Sequence, residues 1–296
     1  EALASSQELV GERIHTLSLL LQHQPIVVIC HTQSYLRYIP HPSLFESSQL
    51  HLSVGMTIDP LTLREKLIRS GYQMIQRVEP FYYSKRGGVI DVYSIQYENP
   101  IRIEFFDDEI ESLRFFDKNT QRSLENVQEV TILPATDLLY DDQEIEHVIS
   151  QIETLQSQTQ CPDYQDDLDE EISIDIESIK NHDYSSRLYQ YMGLFSSSTS
   201  LRCYFDDVLI VTSSQEKIKS VYNQYVEETF YYSHELQDMG KMVKGLSLFQ
   251  SLDSLLKKTD IDFVDFRTND KQISFLTREI QLPLLNENQL IQQIKD

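Results

Sequence analysis

Three consecutive carboxylates, Asp107, Asp108 and Glu109, invite a metal or acid–base reading. Carboxylates at this density serve a divalent cation, or general acid–base work, when further ligands converge on them from other segments. The sequence does not show a second cluster that would converge on them. Asp107 and Asp108 also stand between two alternating runs, "IRIEFF" and "EIESLRFF". Two-residue loops are the commonest β-hairpin connections, and Asp accepts the positive φ they need more readily than most residues. The turn is therefore the favoured reading. A metal-dependent nuclease using Asp107, Asp108 and Glu109 is the enzymatic alternative.

Other routes to catalysis are poorly supplied. Cys30 and His31 are neighbours in a strand-like run, so they point to opposite faces. None of the eight histidines falls at a ligand-like spacing. "VVICHTQSYL" and "LIVTSSQEKI" each follow a strand-like run, but neither contains G-x-x-x-x-G-K-[ST] or G-x-G-x-x-G. Phosphates need backbone N–H groups brought close by glycine, so nucleotide binding is disfavoured. Ser213 and Ser214 could hold an anion at a helix start, although helix capping accounts for them equally well. No catalytic, cofactor-binding or metal-binding residue is assigned, and no cofactor is expected in this chain.

The hairpin itself poses the sharper question. With Asp107 and Asp108 as the turn, Phe106 pairs with Glu109 and Phe105 with Ile110. Period two then places Ile101, Ile103, Phe105 and Ile110 on a core face, and Arg102, Glu104, Phe106, Glu109 and Glu111 on the other. Arg114 falls on the core side in this register, so the second strand is expected to bend, or to end its pairing, before it. A large apolar ring among charges is either covered by another part of the chain or an anchor for a partner, and the pattern alone leaves both open.

The surrounding elements suggest three parts. In residues 1–59, "SSQELVGERIHTLSLLLQ" predicts a helix starting at Ser6 with Leu9, Ile14, Leu17 and Leu21 on one stripe. "IVVIC" predicts a strand buried on both faces of a parallel sheet, and "TQSYLRYIP" a short helix stopped by Pro40. One strand with its helices is only part of such a sheet, so preceding sequence is expected. Residues 60–139 open with a helix capped by Asp59-Pro60, carrying Leu63, Leu67 and Ile68, and stopped at Gly71. Five short alternating runs follow, "YQMIQRV", "VIDVYSI", "IRIEFF", "EIESLRFF" and "EVTILP", an α+β pattern that is mostly antiparallel. Residues 140–296 return to α/β: "DVLIVTSSQEKIKSVYNQYVEETF" reads as strand, turn and helix with a Ser213–Glu216 capping box, and "GLSLFQSLDSLLKK" as a helix, or a strand and a helix, after Gly245.

Composition sets the remaining bounds. The net charge is −22, and 16 of the 47 acidic residues lie between Ser123 and Ile179, where no Lys or Arg occurs. An acidic loop is expected over residues 163–177, and this stretch is a poor ligand for nucleic acid. The pairs Tyr82-Tyr83 and Tyr231-Tyr232 suit buried packing better than base stacking in so acidic a setting. No apolar run is long enough to cross a bilayer. Three scattered cysteines suit a reducing compartment, so a cytoplasmic protein is expected.

Residues 70–135 resemble the second domain of the bacterial transcription-repair coupling factor family. The resemblance is carried by "RGG" at Arg86–Gly88, "RIEFFDDEIESLR" at Arg102–Arg114, "FD" at Phe116-Asp117, "TQRS" at Thr120–Ser123 and "LPA" at Leu133–Ala135. Looser likeness extends on both sides and spans most of the chain. The resemblance implies a UvrB-like module without a P-loop: a partial RecA-like parallel-sheet domain (1–59), a small antiparallel-sheet domain (60–139) and a second α/β domain (140–296). It implies no enzymatic activity for this chain, and UvrA as partner, contacted by Arg86, Arg102 and Phe106. RNA polymerase and DNA would be engaged through domains beyond this chain, following Asp296. Two departures fall near Arg86: Phe81-Tyr82-Tyr83 replaces the family's Gly-Glu-Phe, and Ser94 stands where the family often has Pro. A fragment of UvrB itself is a weaker match, because the helicase motifs and the tyrosine-bearing DNA hairpin have no counterpart here.

The missing phosphate loop yields the first prediction. The chain should show neither stoichiometric ATP binding by calorimetry nor magnesium-dependent turnover above background.

Overall fold

The computed structural model describes residues 6–22, 25–205, 208–212, 214–256 and 261–262. Ser6 accepts a hydrogen bond from the Leu9 N–H and opens helix α1 (Gln7–Leu21). Ile14, Leu17 and Leu20 of that helix are buried, whereas Leu9 faces solvent. Short elements follow: α2 (Thr32–Leu36), β1 (Ile39–Pro40), α3 (Pro42–Ser47) and β2 (Leu50–Ser53). The buried strand expected at "IVVIC" does not form. Residues 25–30 are extended coil, with Val27 89% and Ile29 94% exposed. A strand buried on both faces needs neighbours on both edges, and no described strand pairs with this one.

Asp59 accepts from the Leu61 N–H and caps α4 (Pro60–Arg69), which buries Leu63 and Leu67. Gly71 stops it at φ +89°, and a Cβ there would lie 2.5 Å from the Thr136 side chain. Seven strands follow: β3 (Gln73–Met74), β4 (Tyr82–Arg86), β5 (Val89–Val92), β6 (Ile101–Phe106), β7 (Glu109–Phe116), β8 (Ser123–Val127) and β9 (Glu129–Ile132). The first six form one sheet in sequence order, antiparallel throughout except for the parallel β3–β4 pair. The sequence pattern missed β4 and β8, one rich in polar residues and the other an exposed edge. β9 leaves the sheet and pairs with β2, Leu50 opposite Ile132. The core on the inner face accordingly joins Leu50 and Leu52 to Leu63, Leu67, Ile90, Ile101, Ile103 and Ile110.

Beyond residue 140 come α5 (Ile145–Gln158), α6 (Gln165–Asn181), β10 (Ser198–Thr199), β11 (Val211–Thr212), α7 (Gln215–Asp238), α8 (Leu252–Leu256) and β12 (Ile261–Asp262). The acidic loop expected over 163–177 is instead mostly α6. Leu168, Ile172, Asp175 and Ile179 repeat at helical spacing and are buried, while Asp166, Asp167, Asp169 and Glu170 face solvent. Acids in the first turn and Lys180 in the last suit the helix dipole. The buried Asp175 carboxylate accepts from Arg187, Tyr191 and Gln190. The cap of α7 is Ser214, whose hydroxyl accepts from the Lys217 N–H; Ser213 lies outside the described residues. After Gly245 only the short α8 forms, and Lys257 and Lys258 lie outside the described residues. Tyr231 and Tyr232 are exposed on the outer face of α7, contrary to the packing expected of them, whereas Tyr83 is buried. The whole is a mixed α/β fold: one six-stranded sheet, small two-stranded sheets and packed helices.

The parts meet at a buried carboxylate. Asp137 accepts hydrogen bonds from Arg13 of α1 at 2.8 Å and from Arg37, just after α2, at 3.2 Å. The Arg37 guanidinium also lies 3.9 Å from the Tyr189 ring centroid. Burial pushes the Asp137 carboxyl up, but Arg37 and Arg13 outweigh it and hold the group below the ordinary carboxylate range. Its stabilising contribution is therefore complete above about pH 4, the unfolded-state value, and is lost as pH falls through the lower folded-state value. Asp137→Ala should cost roughly 3 kcal/mol and flatten this acid limb, read by denaturant melts across pH.

Candidate protein interface

The hairpin follows the register its sequence implies. Phe106 faces Glu109 and Phe105 faces Ile110 across a turn at Asp107–Asp108, with Asp107 at φ +53°. Ile101, Ile103 and Ile110 are fully buried and Phe105 packs against the same core. The pairing does not end before Arg114. Glu104 pairs with Ser112 and Arg102 with Arg114, so Glu111 is an extra residue, a β-bulge. That bulge shifts the phase of β7 by one. Leu113 becomes the buried residue and Arg114 joins Arg102 and Glu104 on the outer face.

Phe106 is 70% exposed, and no described residue covers it. Its backbone is nonetheless held from two sides. The Phe105 N–H donates to Gly88 O at 2.9 Å, which lays the β4–β5 turn beside the hairpin tip. On the other side the Ile58 N–H donates to Asp108 O at 2.7 Å, and Ile110 and Gly55 bond through Ile110 N–H to Met56 O and Gly55 N–H to Ile110 O. Gly87, at φ +59° with open space around it, makes the tight β4–β5 turn. This turn presents Arg86, exposed, whose guanidinium donates to Gln76 O at 3.0 Å.

Arg102 differs from Arg86. It lies four residues back from Phe106, about 13 Å along the strand. Its Nε and Nη2 donate to the two oxygens of Asp91 at 2.7 and 2.8 Å, and Nη2 also donates to Gln121 Oε1 at 2.9 Å. The guanidinium stacks 4.2 Å from the Phe116 ring centroid. The Asp91 hydrogen bonds raise the Arg102 pKa above its ordinary value. Asp91 is 3% exposed, and Phe116, Val78 and Tyr93 form a small second core on this outer face. The structure thus brings Phe106 and Arg86 to one end of the sheet and places Arg102 in a fork-to-fork ion pair further down. Asp91, Gln121 and Phe116 escaped the sequence reading. The acid in the middle of "VIDVYSI" was the available sign, since such a residue needs a cross-strand cation.

Residues 50–138 match the UvrB interaction domain. The match begins at the first residue of β2 and ends beside Asp137, so it encloses the sheet, α4 and the hairpin. Over a longer span the chain is similar to the transcription-repair-coupling factor of Bacillus subtilis strain 168, 28% identical over 263 residues, covering 86% of this chain and 22% of that protein. It is similar to the factor of the same name from Staphylococcus epidermidis, 28% identical over 284 residues, and to that of Staphylococcus haemolyticus, 29% identical over 280 residues. Those alignments cover 92% and 91% of this chain, and it spans 22–24% of the length of these relatives.

Within the region that matches the UvrB interaction domain, the Asp107-Asp108-Glu109 group is a hairpin tip. Among the described residues no group of three or more His, Cys, Asp or Glu side chains converges as a metal site would require, and no helix is long and apolar enough to cross a membrane. Glu104 is engaged by Arg114, and its other oxygen accepts from Ser112 Oγ at 2.8 Å. Phe106→Ala should leave the thermal melt within about 0.5 kcal/mol of wild type, as surface changes do. Ile103→Ala, on the opposite face, should cost roughly 2–5 kcal/mol. Arg102→Glu should also melt early, by roughly 3–5 kcal/mol, because it sets a second carboxylate against the buried Asp91.

Proposed function

We propose that this chain is a non-catalytic, UvrB-like recruiting module that binds UvrA through the tip of the β6–β7 hairpin. It would thereby bring excision repair to a stalled RNA polymerase. The observation that carries the reading is Phe106: a large aromatic 70% exposed on a hairpin whose backbone is braced on both sides, inside a matched UvrB interaction domain. An aromatic anchor held in place before binding loses little entropy on docking, and such residues dominate interface energetics. Arg86 shares this end of the sheet and is the second contact. Arg102 acts from behind, by fixing β5 against β6 and the 117–122 loop over the sheet. Polymerase and DNA would be engaged by other parts of a parent protein, since the relatives named for coupling transcription to repair are some four times longer than the aligned region.

The test is titration of UvrA with the full chain and its variants. Phe106→Ala should weaken the complex by at least ~2 kcal/mol, roughly thirtyfold, with its melt unchanged. Arg86→Glu should weaken binding without a stability cost. An unchanged affinity for the folded Phe106→Ala protein would refute the reading.

A further inference from the structure

The free charge around Phe106 has one dominant sign. Two of the basic side chains on this face are already neutralised within the sheet: Arg102 by Asp91, and Arg114 by Glu104. The carboxylates nearest the anchor are not. Asp107, Asp108, Glu109 and the bulged Glu111 are all exposed, and none of the four takes part in an ion pair among the described residues. The turn and bulge account for their positions, because Asp107 occupies the left-handed conformation and Glu111 has no cross-strand partner. Arg86, on the neighbouring turn, is an exposed cation on the segment that the Gly88–Phe105 contact lays beside the tip. Two further apolar side chains are exposed on the segments that brace the tip, Val54 at the end of β2 and Leu61 in the first turn of α4.

We infer that the partner surface is an apolar pocket whose rim, on the side of the hairpin tip, is basic. This rests on the reading above that Phe106 is the anchor. A ring inserted into such a pocket brings four carboxylates against the rim. Neutral or acidic surroundings would leave those charges partly desolvated and uncompensated, which is costly. Lysine and arginine on the partner would instead repay the desolvation and draw the two surfaces together at long range. An acidic group facing Arg86 would complete the pattern and set the orientation.

The experiment uses the full chain and UvrA, measuring affinity and association rate at low and high salt. For wild type, the association rate should fall as salt rises. Glu109→Lys/Glu111→Lys should slow association and weaken binding about tenfold or more at low salt, with a flattened salt dependence. A milder variant, Asp107→Asn/Glu109→Gln, keeps the turn chemistry and should move in the same direction by less. Thermal melts of both should match wild type, since every altered side chain is exposed. Unchanged or tighter binding by the folded lysine variant, or by the neutral variant should the lysine one not fold, overturns the inference. If Phe106→Ala still weakens the complex in that case, the anchor reading survives alone. If Phe106→Ala binds normally while the charge variants weaken, the anchor reading and the apolar pocket both fall, and only the basic character of the partner surface stands.

Discussion

One carboxylate holds the architecture together. Asp137 sits at the exit of the sheet region, is 1% exposed, and receives guanidiniums from two segments 124 and 100 residues earlier. Three apolar cores surround this point: that of α1 and α3, that of the six-stranded sheet, and that of α5 and α6. Apolar packing reaches the junction from each side, Leu133 and Leu139 with α1 and α3, and Leu138 and Tyr140 with α5 and α6, and Asp137 adds a polar contact between them. Such a contact is directional where apolar packing is not. It specifies one docking of the helices on the sheet, supported nearby by Tyr184 donating to Arg69 O and by the Arg69–Asp142 ion pair.

The interface end of the sheet depends on the same economy of charges. Cross-strand pairing engages Arg102, Asp91, Glu104 and Arg114 within the fold, whereas Asp107, Asp108, Glu109 and Glu111 near the hairpin tip are exposed. Position along a strand thus separates charge paired within the sheet from charge left exposed to solvent. The resemblance implies that Arg102 and Phe106 share an interface, and in the fold their surroundings differ. Phe106 meets solvent, whereas Arg102 keeps the strands in register behind it.

The hairpin could be read from sequence because its rules are local: alternation, a two-residue turn, and a residue type suited to positive φ. The helix caps at Ser6 and Asp59 were legible for the same reason. Arg102's partner was hidden because Asp91 belongs to a different strand, and only the β5–β6 register brings them opposite each other. α6 was obscured by its own composition: the stripe of Leu168, Ile172 and Ile179 is sparse among acids that resemble a solvated loop. Residues 26–30 failed the other way. Their β-branched side chains describe what a sheet would accept, and a strand's burial depends on neighbours that its own residues cannot report.

The β2–β9 ladder gives the six-stranded sheet region a narrow neck. Leu50, where the chain enters, lies directly opposite Ile132, close to where it leaves. Everything between, including the six-stranded sheet and both turns, hangs from that four-rung clasp and its contacts near Asp137. A pull on the two flanking segments is therefore taken up rung by rung at the neck, from Leu50–Ile132 inward. The hairpin tip is bonded to residues 55–58, beyond the last rung, so the ladder must part before a load from that side reaches the tip.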